Sequence, residues 1–253
     1  MSTDNLVKLH VWLASQGLGS RRSCEQLIKQ GKVEVNGNRV RQLGEKIQPH
    51  VDEIFVDGQP VRRKTIKKSY FVLNKPKFVM STHRAEDDRA TVFDLPAVKQ
   101  LPKTMQFVGR LDYESEGMML LTNDGDLNYK ITHPKFNVEK EYLVLTNKKL
   151  HKFQLEEVRN GVKVERYGPL ASGSIEYLAS EKLGKTVGAW YSIKIHEGRK
   201  RVIRKMMETL DRKAVRLVRV AIGPIKLSNH IKPGGLMKLS SRQLDALKRV
   251  VAE

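Results

Sequence analysis

Four consecutive apolar residues, Met118 to Leu121, stand between Gly117 and the turn sequence Asn123-Asp124-Gly125. A run that short, closed by turn chemistry, reads as a buried strand, so the chain must build a sheet into its core. Just upstream, Gly109-Arg-Leu-Asp112 puts an Arg and an Asp two residues apart. On an extended segment both side chains leave the same side. Gly109 and Gly117 allow backbone conformations or close approaches that a side chain would forbid. Downstream, Asp126 is expected to cap a short helix through Ile131 that stops before Pro134. Asp112 therefore sits in a loop held between apolar anchors, where working residues commonly lie. The residues alone leave open a plainer role for it, an ion pair with Arg110 or a turn cap.

Lys and Arg number 47 against 28 acidic residues, a formal net charge of +19. Charge of that sign spread along the whole chain calls for a polyanionic partner, nucleic acid before a membrane surface. No basic amphipathic helix or lipidation signal supports the membrane. No apolar run is long enough for a span, and the N-terminus lacks the apolar core of a signal peptide. A single cysteine excludes an intramolecular disulfide and fits a cytoplasmic protein. The seven histidines are scattered and no phosphate loop or dinucleotide fingerprint occurs, so neither metal nor cofactor is expected.

The first sixty residues read as a separate unit. Leu6, Leu9 and Leu13 recur at helical spacing before Gly17, and Ser20 caps a second helix with Cys24, Leu27 and Ile28 as its stripe. Cys24 is a small core residue there, with no catalytic partner. Lys32 to Val35 alternates like a strand, Asn36-Gly37 signals a hairpin, and Glu53 to Val56 adds a strand before Asp57-Gly58. Arg21, Arg22, Lys29, Lys32, Arg39 and Arg41 cluster on this unit's polar edge, as a phosphate-binding face would require. The basic stretch Arg62 to Lys68 is a linker, giving domains at 1–62 and 70–253 joined by 63–69.

The second half carries strands at Tyr70–Leu73, Val138–Leu145 and Trp190–Ile195, and a strand ending in a turn over Val215–Pro224. Phe153, Leu155 and Val158 outline a helix ended by Gly161, and a last helix begins at Ser241. Glu197 to Met207 reads as strand end, tight turn and helix, with Val202, Ile203, Met206, Met207 and Leu210 on the apolar side. Arg199, Lys200, Arg201, Arg204 and Lys205 make that segment densely basic, and Arg204 neighbours the apolar stripe. The fold class is α+β: a helix-helix-hairpin domain, then a mixed, mostly antiparallel sheet with helices packed on it.

Three stretches of the larger domain and one of the smaller carry a resemblance. Gly109-Arg-Leu-Asp112 with Ser115, Gly117 and Leu120-Leu-Thr-Asn-Asp-Gly125 resembles the central motif of the RsuA family of ribosomal RNA pseudouridine synthases, whose pattern is GRLDxxTxGLLLLTNDG. Ser115 for Thr and Met118-Met119 for Leu-Leu are mild departures. Glu197-Gly-Arg-Lys-Arg-Val-Ile-Arg-Lys-Met resembles the family's EGRNRQVRRM, with Lys200 for Asn and Val202 for Gln. Asn74-Lys-Pro resembles its NKPxG, with Phe78 where glycine is customary, which bears on the turn after Pro76. Leu18-Gly-Ser-Arg-Arg22 with Gly31 to Gly37 resembles the αL motif, a small RNA-binding domain shared with a small-subunit ribosomal protein.

The resemblance implies an enzyme that converts uridine to pseudouridine, breaking the glycosidic C–N bond, turning the base and joining C5 to C1′. It implies Asp112 as the catalytic group, Tyr142 stacking on the target base, Ile203 packing under that ring and Arg204 pairing with Asp112. Arg110 would fill the space left by the flipped uridine. Arg21, Arg22, Lys29, Lys32, Arg39, Arg199 and Arg201 would contact RNA. One carboxylate serves any of three routes, attack at C6, attack at C1′ or removal of the C2′ proton. The implied partner is ribosomal RNA, large-subunit rather than small-subunit, free or in a ribosome assembly intermediate, with the protein a monomer. Two rivals stand beside it. One is a non-catalytic RNA-binding assembly factor; the other is a glycosidic hydrolase that would need Glu114 or Glu116 as a second carboxylate.

Overall fold

The computed structural model describes residues 6–63, 67–85, 87–164, 168–169 and 173–252. The chain divides into two compact units, Met1–Lys67 and Lys68–Glu253. The expected linker at 63–69 falls partly on residues 64–66, which lie outside the described residues.

In the first unit β1 (Val7–Lys8) runs into α1 (Leu9–Ser15), and α2 spans Arg21–Lys29. Leu6 is half exposed and stands outside the helix, because residues 7–8 pair with β4 (Lys46–Ile47) instead. Ser20 caps α2 as expected, its side chain accepting the Ser23 amide. Strands β2 (Val33–Val35), β3 (Asn38–Val40), β5 (Ile54–Val56) and β6 (Gln59–Pro60) form an antiparallel sheet in the order β3-β2-β5-β6. Asn36 and Gly37 both take positive φ, +50° and +78°, as the two-residue hairpin between β2 and β3 requires. Leu9, Trp12, Leu13, Cys24, Ile28, Val33, Ile47 and Ile54 close the core, so Cys24 is a packing residue.

The second unit is built on one sheet. Its strands are β7 (Tyr70–Lys75), β8 (Gln106–Val108), β9 (Glu116–Thr122), β10 (Lys140–Thr146), β11 (Lys163–Val164), β12 (Gly168–Pro169), β13 (Ser174–Leu183), β14 (Thr186–Ile195), β15 (Ala214–Ile222), β16 (Ile225–Lys226) and β17 (Leu236–Lys238). Among the described residues nine of these join in the order β13-β14-β10-β15-β9-β7-β17, with β8 on β9 and β16 on β15; β11 and β12 pair apart. Among the described residues every pairing between these strands is antiparallel except the parallel pairing of β9 with β15. Helices α3 (Pro96–Lys99), α4 (Gly125–Thr132), α5 (Lys152–Asn160), α6 (Val202–Thr209) and α7 (Ser241–Val250) complete it.

Alternate residues of the central strands enter two separate cores. Leu73, Met119 and Leu121 join Tyr142, Tyr191 and the α6 residues Ile203, Met206 and Met207. Val72, Met118 and Leu120 join Leu127 and Ile131 of α4 and Leu247 of α7. That double coverage is why Met118–Leu121 is apolar without alternation. Two helix details depart from expectation. Asp124, not Asp126, caps α4: its carboxylate takes the Leu127 amide while Tyr70 Oη (2.8 Å) and Lys68 (3.0 Å) hold it in place. Phe153 lies outside the α5 stripe, 61% exposed, and Gln154 is buried beside Val158 instead, bonded to the Leu210 carbonyl. No helix among the described residues is long and apolar enough to cross a membrane.

Candidate active site

The registers around β9 line up one residue from each of four neighbouring strands. Lys75 of β7 pairs with Gly117, Gly117 with Arg219 of β15, and Arg219 with Tyr142 of β10. Paired residues share a face. A buried lysine, a glycine, a buried arginine and a buried tyrosine therefore form one row, where the loop 109–115 feeds into β9. Gly117 is forced by this crossing. A β-carbon there would lie 2.3 Å from the Arg219 carbonyl oxygen and 2.9 Å from its nitrogen, and φ is +101°.

The loop itself carries no regular structure, so Arg110 and Asp112 do not share the extended segment expected for them. Ladder bonds are replaced by a set of side-chain and loop donors. The Leu111 carbonyl accepts from Ser81 Oγ (2.7 Å), which in turn accepts the Leu111 amide (3.2 Å). The Asp112 carbonyl accepts from Lys75 Nζ (3.3 Å) and the Ser115 amide (3.0 Å). Tyr113 accepts from the Phe78 amide (2.7 Å), Glu114 from Arg204 Nη2 (3.2 Å), and Ser115 from Lys75 Nζ (2.7 Å). All five carbonyls from 111 to 115 are thus held, which fixes the backbone on both sides of Asp112. The half-buried Asp112 carboxylate, by contrast, makes no hydrogen bond or ion pair with any described residue. A rigid loop presenting a free carboxylate is suited to nucleophilic or proton-abstracting work.

Lys75 has no exposed surface, and burial pushes its ammonium down to about 8, with the charges of Asp112 and Glu116 pulling the other way. It also bonds the Pro76 carbonyl at 2.9 Å. Arg204 is buried as the helix pattern suggested, but a direct pair with Asp112 is not formed. Its guanidinium donates to the Ala214 carbonyl (2.8 Å) and to Glu114, and the nearest carboxylate is Glu114 at 3.9 Å. Residue 204 is on the first turn of α6, which faces β15 and the end of the loop, so it reaches the backbone beyond Asp112 and not the carboxylate. Burial lowers its basicity; Glu114, and at longer range Asp112, counter that. Arg219 donates Nε to the Met118 carbonyl at 2.7 Å.

Tyr142 lies in the core cluster that includes Leu111 and Ile203, and Arg110 is exposed with no partner among the described residues. Arg199 pairs with Glu197, and Arg201 lies 3.7 Å from Glu114. Glu116 is held by Arg216 (2.6 Å) and Lys77 (3.7 Å). Both carboxylates that a hydrolase could use are therefore tied to cations, which disfavours the second-acid role. In the first unit Arg21, Arg22, Lys29, Lys32, Arg39 and Arg41 are all exposed. Phe78, standing where the resemblance has glycine, adopts the glycine-like φ of +60°. Lys75, Ser81 and Arg219 were not among the expected site residues. Lys75 follows a polar Asn at a strand end, and its place in the Asn74-Lys-Pro stretch was the signal that marked the position.

The model of the RNA pseudouridylate synthase family matches residues 69–209, and that of the S4 domain matches residues 7–54. A protein of Aquifex aeolicus named an uncharacterized RNA pseudouridine synthase is 38% identical over 246 residues, covering 97% of this chain and 95% of its own. The ribosomal large subunit pseudouridine synthase B of Bacillus subtilis is 36% identical over 212 residues, covering 84% of each chain. Among solved structures, a crystal structure of a pseudouridylate synthase superposes with a TM-score of 0.63 at 26% identity, covering 95% of this chain and 99% of the other.

Proposed function

This chain belongs to the RNA pseudouridylate synthase family, and on that premise we propose that it isomerises a specific uridine of ribosomal RNA, with Asp112 as the essential group. Large-subunit RNA is the substrate this reading favours, because the similar Bacillus subtilis protein is named for it. The observation that supports the site assignment is the contrast in the loop: five consecutive carbonyls are held and Glu114 is paired, while the Asp112 carboxylate is left without a partner among the described residues. A structural aspartate would be bonded; a reacting one must meet the flipped nucleotide bare.

The other residues take supporting roles. Tyr142 offers a ring beside the site for the uracil, and Arg110 projects to solvent where it can enter the gap the flipped base leaves. Arg204 and Lys75 hold the loop and supply positive charge beneath it, which offsets repulsion between the carboxylate and RNA phosphates. Arg21, Arg22, Lys29, Lys32 and Arg39 dock RNA through phosphates, with Arg199 and Arg201 adding to the field near the site. The protein acts as a monomer in the cytoplasm, on free ribosomal RNA or an assembly intermediate. A pure assembly factor would have no use for a bare carboxylate on so rigid a loop.

The test is Asp112→Asn, incubated with purified ribosomal RNA and read by mapping pseudouridine. The variant should bind RNA with wild-type affinity and form no pseudouridine. Near-normal turnover by the variant would remove Asp112 from the mechanism.

A further inference from the structure

Phe78 is 61% exposed and holds φ at +60°, a left-handed backbone that a bulky side chain rarely adopts. The turn after Pro76 would accommodate glycine without that strain, and no core is filled by the ring. Its neighbour is the informative feature. The Phe78 ring lies 5.5 Å from that of Tyr113, tilted by 60°, and the Phe78 amide bonds the Tyr113 carbonyl. Tyr113 directly follows Asp112. The Arg89 guanidinium lies 5.3 Å from the Tyr113 ring centroid, itself paired with Asp87. An aromatic pair, Phe78 exposed and Tyr113 half-buried, with a cation beside it thus adjoins the bare carboxylate.

Resting on the reading of Asp112 as acting on a uridine in RNA, we propose that Phe78 and Tyr113 form a stacking platform for the base of an unpaired nucleotide flanking the target uridine. Swinging a uridine out of a stack leaves the neighbouring base with an uncovered face. An aromatic ring covers such a face whatever the base, and a nearby guanidinium favours the attached phosphate. The strained backbone points the same way: strain of this kind persists where the side chain is needed. The platform differs from the Tyr142 ring, which is buried in the core.

The experiment uses full-length Phe78→Gly and Phe78→Tyr. Glycine suits φ +60°, so the first variant should fold with a melting temperature no lower than wild type. On ribosomal RNA, Phe78→Gly should raise KM roughly tenfold and leave kcat at saturating RNA unchanged, while Phe78→Tyr keeps both. A second readout needs no pseudouridine formation. A short oligouridine carrying one 2-aminopurine should be quenched on binding wild type, Asp112→Asn and Phe78→Tyr, and not on binding Phe78→Gly. Equal quenching and equal KM for Phe78→Gly would overturn the platform, as would a KM rise that Phe78→Tyr shares, since the turn and not the ring would then be responsible. Absence of pseudouridine with wild type on any ribosomal RNA would sink the catalytic reading, and the quenching comparison would still decide the platform.

Discussion

Replacing Lys75 by methionine separates what the buried ammonium does for the loop from what it does for the fold. The side chain has no exposed surface and donates to the carbonyls of Pro76, Asp112 and Ser115. Its pKa falls from 10.5 to about 8. At 1.36 kcal/mol per unit, the folded state carries a penalty of about 3 kcal/mol for the charged form at neutral pH. Methionine removes that penalty but strands loop carbonyls, each worth about 1–3 kcal/mol when buried and unpaired. The Asp112 carbonyl keeps the Ser115 amide, so two carbonyls are stranded, the two effects oppose, and near pH 7 the unfolding free energy should change by no more than about 3 kcal/mol. The pH dependence is sharper. The folded value lies below the unfolded one, so the unfolded chain binds more protons between about pH 8 and 10.5, and stability rises with pH across that window. Below that window the whole penalty is present. Urea unfolding of both proteins should show wild type gaining about 2 kcal/mol on the variant between neutral pH and roughly pH 9.5. Meanwhile the single-turnover rate should drop about 100-fold, because Asp112 is no longer fixed to within an ångström. A stability difference flat with pH would refute the desolvated ammonium, and a wild-type rate would refute its hold on the loop.

Gly117→Ala should destabilise the second unit by about 3 kcal/mol or more, measured by urea unfolding, since its β-carbon meets the Arg219 backbone and φ is positive. A drop below about 1 kcal/mol, the size of a surface change, would mean β9 and β15 can separate. Arg204→Met should lower kcat at both low and high salt, whereas the exposed Lys200→Met should recover fully at low salt; full recovery of Arg204→Met would reduce Arg204 to a phosphate ligand. Changing Arg21, Arg22, Arg39 and Arg41 together to Gln should flatten the salt dependence of RNA binding, by roughly 0.7–0.9 in log–log slope for each phosphate no longer neutralised. An unchanged slope would take the first unit out of RNA docking.

Most of the architecture was legible because it is written in local patterns. The hairpin at Asn36-Gly37, the Ser20 cap, the α6 stripe and the buried strand at Met118–Leu121 each follow from neighbours in sequence. Asp112 was legible as a loop residue between anchors. What stayed hidden depends on pairing between distant segments. The alignment of Lys75, Gly117, Arg219 and Tyr142 is a matter of register, and the one parallel pairing that completes it joins strands about a hundred residues apart. Lys75 was legible only as part of the Asn74-Lys-Pro stretch, because nothing local says that its strand end is covered. Arg204 is buried, as its place beside the apolar stripe suggested, and in this structure it bonds the backbone of Ala214 and Glu114, where the resemblance implies a pair with Asp112.

The bonding of Arg204 shows how the site keeps its carboxylate reactive. A guanidinium bonded directly to Asp112 would satisfy the carboxylate and leave it a poor reactant. Here Arg204 and Lys75 bond backbone carbonyls instead, and their charge acts on the carboxylate through space. A unit charge about 8 Å away is still worth about 2 kcal/mol at an effective dielectric constant of roughly 20. The field survives while the oxygens stay free. The arrangement is costly to the fold, because Lys75, Arg204 and Arg219 are buried cations of which only Arg204 has a carboxylate within ion-pair distance, at 3.9 Å, among the described residues. Strands β7, β9 and β15 can bear that burden because both of their faces are packed with apolar cores behind the row. The apolar run that marks the strand in sequence is thus the counterweight to the charged row at its mouth.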